Sequence, residues 1–137
     1  MSNTEPAKFE PKTPLRSVSR LASFGHAIRG LKLLMRQPNA RIHVAVAVLV
    51  LILGYTLGIS SGQWYAVTLS VALVIGAEAL NTAIEFTVDL ISPEWHPLAR
   101  DAKDVAAAGV LVCSIGAALV GLGVFVPKIL ALLSWGV

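Results

Sequence analysis

Three long apolar runs divide the chain, covering about 42–59, 64–91 and 105–126. Each is long enough, as a helix rising about 1.5 Å per residue, to cross a hydrocarbon core about 30 Å thick. Ahead of them the pattern has a different period. Over 15–36 the apolar residues Leu21, Phe24, Ile28, Leu31 and Met35 recur at helical spacing, while Arg16, Arg20, Arg29, Lys32 and Arg36 fall mostly elsewhere. That alternation predicts an amphipathic helix lying on a membrane surface, its apolar stripe in the acyl boundary and its cations among anionic headgroups. Residues 1–14 carry no such pattern and read as a disordered tail, which leaves 15–137 as one membrane domain. After Pro127 and Lys128 a short apolar stretch to Val137 reads as an interfacial end rather than a fourth span. The expected fold is all-α: an integral membrane protein with three transmembrane helices preceded by a surface helix.

Composition agrees with that solvent. Of 137 residues 55% are hydrophobic and only 14% charged, with a mean hydropathy of +0.74, so in water the chain would expose far too much apolar surface. After Met1 the chain runs through Ser, Asn, Thr, Glu and Pro and its first long apolar run starts only near Ile42, so no cleavable leader is expected. Lys and Arg collect before the first span, whereas the turn at 60–63 carries no charge. The positive-inside bias therefore puts the N-terminus in the cytoplasm of a multi-pass protein. Threading from there places the Ser60 turn outside, the loop 92–103 with Arg100 and Lys103 inside, and the C-terminus outside.

Charge within the spans is concentrated in one place. Glu78-Ala-Leu-Asn81-Thr-Ala-Ile-Glu85-Phe-Thr-Val-Asp89 puts three carboxylates and an amide into the end of the second span, where ionised side chains are costly and mark function. At about 100° per residue, Asn81, Glu85 and Asp89 fall roughly 60° or less from Glu78, so all four share one face. Ala79, Leu80, Ala83, Ile84, Phe86 and Val88 form the remainder, suited to lipid or a neighbouring helix. Glu78 and Glu85 stand about 10 Å apart along the axis, too far to share one metal unaided. The deeper Glu78 suits a proton acceptor, and Glu85, nearer the headgroups, suits a hydrated Mg²⁺ that completes its shell with water and phosphate oxygens. Lys103 is placed to offset transferred phosphate charge. Ala102, Ala106, Ala107, Ala108 and Gly109 would let the third span approach this face closely and bring Lys103 and Asp104 beside Glu85 and Asp89. The lone Cys113 has no partner for a disulfide and reads as packing, and Gly54 and Gly58 form a G-x-x-x-G that permits close helix approach. No G-x-x-x-x-G-K-[ST] loop occurs, so a nucleotide site would have to be assembled from helix side chains and metal. No nucleic-acid partner is expected.

These residues carry a resemblance. The run from Glu78 to Asp89, followed by Glu94-Trp-His96-Pro-Leu-Ala-Arg-Asp-Ala-Lys103-Asp104-Val-Ala-Ala-Ala-Gly, is similar to the signature of the prokaryotic diacylglycerol kinase family, which includes undecaprenol kinases. Ser23-Phe-Gly-His26-Ala-Ile-Arg-Gly30-Leu and Asn39-Ala-Arg-Ile-His43 resemble the family's surface helix and its entry into the first span. The resemblance implies a homotrimer in the bacterial inner membrane, with active sites at the cytoplasmic boundary where neighbouring subunits meet. It also implies direct transfer of the ATP γ-phosphate to the hydroxyl of a membrane lipid, undecaprenol or diacylglycerol, with Mg²⁺. By position it makes Glu78 the general base and Glu85 a metal-binding carboxylate, with Asn81 and Asp89 on the same polar face. Glu94, His96, Lys103, Asp104 and His26 fall at positions near the nucleotide.

Two positions depart from the pattern. A glutamate shortly before the first span supplies a second metal ligand in well-known members, whereas Gln37 here offers only a neutral carbonyl. Ala107 stands where the diacylglycerol branch carries a serine, which favours the polyprenol branch. Two other classes fit the composition: a small oligomeric ion or proton conduit whose carboxylates line a wet path, and a non-catalytic membrane scaffold derived from the kinase.

Overall fold

The computed structural model describes residues 20–134, and within them every element is helical. The order is α1 (Arg20–Leu34), α2 (Pro38–Thr56), α3 (Ser61–Ile91) and α4 (Pro97–Ser134). The tail expected over 1–14 and the first residues of the surface helix lie outside the described residues. The last three helices are each long and apolar enough to cross a membrane.

Local chemistry sets most of the helix ends. A tight turn over residues 35–37 leads out of α1. Gln37 (φ −75°, ψ 131°) then takes extended backbone and Pro38 opens α2, where its missing N–H would have no helical partner anyway. At the other end Gly58 adopts φ +58°. Its N–H donates to the Tyr55 carbonyl at 3.3 Å and that of Ile59 to the Gly54 carbonyl at 3.2 Å, a Schellman closure that needs a residue without a Cβ penalty. Ser60 starts α3 through a capping box: its Oγ accepts from the Gln63 N–H at 3.4 Å and its own N–H donates to Gln63 Oε1 at 2.9 Å. At the start of α4, His96 Nδ1 accepts from the Leu98 N–H at 3.2 Å. The last helix therefore begins at Pro97, well before the apolar run that announces it in the sequence.

The stretch after Pro127 differs from expectation. It reads as a separate interfacial end, yet α4 continues unbroken through Pro127 to Ser134. Proline withdraws one i→i−4 hydrogen bond, and the surrounding helix tolerates that loss in an apolar setting. Lys128, next in line, reaches back to donate from Nζ to the Gly58 carbonyl at 3.0 Å. That bond ties α4 to the α2–α3 turn and sets a cation at the C-terminus of α2.

The apolar core sits at this turn end. Ile59, Val67, Val124 and Phe125 are buried together, with Trp64 against them. Gly54 makes the contact possible, since a Cβ there would lie 2.9 Å from Trp64 Cη2. Of the G-x-x-x-G pair, Gly54 thus serves close approach and Gly58 serves the turn. Tyr55 and Tyr65 are exposed at this end and Trp95 at the other, the arrangement of aromatic side chains seen at membrane–water interfaces. On α1 the stripe Leu21, Phe24, Ile28 and Leu31 is exposed, and only Leu34 is buried. The stripe is left open for a bilayer rather than spent on the bundle.

Candidate active site

α3 presents one continuous stripe to its neighbours. Near the turn it is Val67, Val71 and Val74; further along, the same angular position is taken by Glu78, Asn81, Thr82 and Glu85. Glu78, Asn81 and Thr82 are 3%, 4% and 5% exposed, so the polar groups occupy what would otherwise be core. Burial of that kind is retained only where the groups have partners or work to do.

Their hydrogen bonding is incomplete. Asn81 Nδ2 donates to Glu85 Oε1 at 2.9 Å, while Asn81 Oδ1 and Thr82 Oγ1 are buried without a hydrogen-bond partner. Glu78 has no hydrogen-bond partner among the described residues; the ionisable groups whose charge reaches it are His43 of α2 and Glu85. One helical turn further, Asp89 pairs with Lys103 Nζ of α4. Both side chains of that pair are solvent-accessible, and exposed pairs hold by only about 1 kcal/mol or less, so Lys103 can exchange Asp89 for another anion at little cost.

The sequence-derived candidates divide accordingly. Glu78, Asn81, Glu85 and Asp89 share one face of α3, and Lys103 of α4 joins them at Asp89. Asp104 is turned away to Arg100, at 3.9 Å, and Arg100 also holds Asp101 at 3.0 Å. Of the small residues opening α4, only Ala106 is turned toward the bundle; Ala102, Ala107, Ala108 and Gly109 are exposed. Glu94 is exposed in the α3–α4 loop, His96 caps α4, His26 is exposed on α1, and Gln37 is half-buried at the N-cap of α2 without a side-chain capping bond. All four belong to elements at the same end of the bundle, and among the described residues none has a side-chain hydrogen bond or ion pair with the buried strip.

Two residues of the site escape the sequence reading. Thr82 lies only about 40° from Glu78 by the same helical arithmetic, and His43 stands one turn into α2. Helical spacing is the available signal for Thr82, whereas His43 lies on another helix, where spacing from Glu78 says nothing.

The strip also bears on metal binding. Glu78, Glu85 and Asp89 outnumber the cations that face them, and the free Oδ1 of Asn81 adds a hard neutral oxygen beside Glu85. Among the described residues no three His, Cys, Asp or Glu side chains cluster tightly enough to hold a metal by themselves. The donor set suits a hard cation that takes one carboxylate from protein and the rest from phosphate and water, as Mg²⁺ does.

A buried acid, Glu78, within one of three helices long and apolar enough to cross a membrane, with an amphipathic helix alongside and no phosphate loop, defines a polytopic membrane protein. Residues 25–125 match the model of prokaryotic diacylglycerol kinase, and the chain belongs to that family of lipid kinases. It is 43% identical over 108 residues to an undecaprenol kinase of Bacillus subtilis, covering 78% of this chain and 88% of that protein. It is 35% identical over 130 residues to a diacylglycerol kinase of Synechocystis, covering 89% and 74% of the two chains. A diacylglycerol kinase of Pseudomonas aeruginosa is 32% identical over 108 residues, covering 78% and 86%.

Proposed function

We propose that this chain transfers the γ-phosphate of ATP to the hydroxyl of a membrane lipid, undecaprenol or diacylglycerol, at the cytoplasmic face of the bacterial inner membrane, and that it works as a homotrimer. The observation that carries the reading is the buried Glu78–Asn81–Glu85 strip running on into Asp89 and Lys103. It offers a carboxylate sheltered from water, a held second carboxylate and a releasable cation in one line.

Glu78 takes the proton of the lipid hydroxyl as its oxygen bonds to the γ-phosphorus; the bond from that phosphorus to the β,γ-bridging oxygen breaks, and ADP leaves. Lys103 leaves Asp89 to face the phosphate, because phosphoryl transfer asks chiefly for positioning and charge stabilisation. Asn81 holds Glu85 in place through its amide. Glu85 and Asn81 Oδ1 would hold magnesium, with Gln37 as a further neutral donor, and the ion when bound neutralises triphosphate charge. His26, Glu94, His96 and Asp104 would face the nucleotide. The basic N-terminal third supports a cytoplasmic location for this end.

A conduit is disfavoured by the stripe itself. From Ser61 to Ala77, α3 has no acidic or basic residue, so no charged path continues from Glu78 toward the turn.

The test is label transfer from γ-labelled ATP to each lipid in mixed micelles. Glu78→Gln keeps the shape and removes the base, and should lower transfer on the order of 10²–10⁴-fold; undiminished transfer would remove Glu78 from the chemistry.

A further inference from the structure

His43 takes part in no step described above, although it stands among the residues that α2 turns into the bundle. By helical arithmetic it falls within about 60° of Ala40, Ala47 and Gly54, the buried residues of that helix, and it is itself half-buried. Its side chain lines a cavity of about 210 Å³ between α2, α3 and α4, together with Val74 and Ile75 of α3. Among the described residues the imidazole has no hydrogen bond or ion pair. A polar ring kept in a largely apolar wall without a partner is costly, so its surroundings bear on what it is for.

Register links this ring to the acid. α2 and α3 run antiparallel from the short turn between Thr56 and Ser61, and equal distances back along α2 and forward along α3 set His43 level with Val74. Val74 precedes Glu78 by one helical turn on the same buried stripe, about 6 Å along the axis. Each Cα–Cβ bond tilts toward the N-terminus of its own helix. In an antiparallel pair the Cβ of His43 therefore tilts toward the level of Glu78, and that of Glu78 toward the level of His43. Of the two groups whose charge reaches Glu78, the other is Glu85, an anion. Lys103 of α4 is paired with Asp89, about 16 Å beyond Glu78 along α3.

A carboxylate that takes a proton in a dry site must hold one oxygen at the alcohol, and its other oxygen needs a donor. We infer that His43 is the positioning residue of the base: a ring N–H of His43 donates to one carboxylate oxygen of Glu78 and leaves the second aimed at the lipid hydroxyl. The bond survives the chemistry, because the oxygen it holds becomes the carbonyl of the acid once the second oxygen carries the proton. It asks for one N–H and no change of charge on the ring. The two side chains are not hydrogen-bonded here; catalytic hydrogen bonds often tighten only in the substrate complex. The inference rests on the lipid kinase reading above and adds a residue to its machinery.

The full-length chain in mixed micelles is assayed with undecaprenol and with dioleoylglycerol, as wild type, His43→Ala and His43→Gln, with melting curves on each. His43→Ala should lower kcat on the accepted lipid about tenfold or more, the scale of a lost hydrogen bond to a charged group, with the KM for ATP unchanged. His43→Gln, which keeps an N–H donor, should recover most of that loss. Added imidazole should raise kcat of His43→Ala and leave wild type unchanged, since the ring's place opens onto the cavity. In a Glu78→Gln background His43→Ala should cost no more than about twofold, because two residues that act through one group are not additive. An undiminished His43→Ala, a loss that neither glutamine nor imidazole relieves, or the same loss in the Glu78→Gln background overturns the inference and leaves the kinase reading standing. If wild type phosphorylates neither lipid, the kinase reading falls and the inference with it.

Discussion

Asn81 shows how one residue can be both fixed and unfinished. Its Nδ2 orients Glu85, and its Oδ1 is sealed from solvent with nothing to accept. An orphaned carbonyl costs about 1–3 kcal/mol, a cost that makes sense where a ligand atom arrives to complete the bond. Lys103 is the converse case, a cation with a partner it can easily leave. Its pair with Asp89 is too exposed to matter for stability, so Asp89→Asn should change the unfolding free energy by less than about 1 kcal/mol. Lys103→Met should match it in thermal unfolding yet lower phosphate transfer on the order of 10²-fold, the scale seen when one charge-stabilising donor is lost from a transition state. Parallel kcat measurements and melting curves on the two variants separate the roles. If Lys103→Met lost stability in proportion to activity, the residue would be a strut and not a phosphate ligand.

Among the elements, what could be read from sequence was whatever depends on local composition. Long apolar runs declare α2, α3 and α4, and the spacing of Glu78, Asn81, Glu85 and Asp89 declares the polar face, because both follow from helix periodicity alone. The start of α4 did not show, since Arg100, Asp101, Lys103 and Asp104 interrupt the apolar pattern soon after it begins and its cap is a histidine, a residue with no strong capping signature. The passage through Pro127 did not show either, because proline is a breaker in water and a tolerated interruption in an apolar bundle. Thr82 was invisible for a related reason: whether a helical hydroxyl satisfies itself or is left bare is decided by what packs over it. The capping box at Ser60 is the opposite case, local and readable, and so its energy should be local too. Ser60→Ala removes one half of the reciprocal pair and should cost about 1 kcal/mol. Urea or SDS unfolding in micelles measures it; no change would mean that the Schellman turn and Lys128 hold the connection unaided.

Across the whole molecule, stability and chemistry occupy opposite ends. The turn end holds the buried cluster around Trp64, the Gly54 contact and the Lys128 tether, all of them satisfied. The loop end holds unsatisfied oxygens and a sheltered acid. From Gly58 to Glu78 is twenty residues along the chain, mostly helix at about 1.5 Å each, which puts them well beyond the 7–10 Å or so within which substitutions couple. Gly58→Ala forces a Cβ into the left-handed region and should destabilise by about 1 kcal/mol while sparing kcat. Glu78→Gln removes a buried carboxylate without hydrogen bonds and should hold or raise stability while stopping transfer. Combined, the two should change unfolding free energy by the sum of their separate effects, within about 0.5 kcal/mol, with activity as low as that of Glu78→Gln alone. A large deviation from that sum, or a loss of kcat from Gly58→Ala in fully folded protein, would mean that the helices transmit strain from turn to site and that the two ends are one cooperative device.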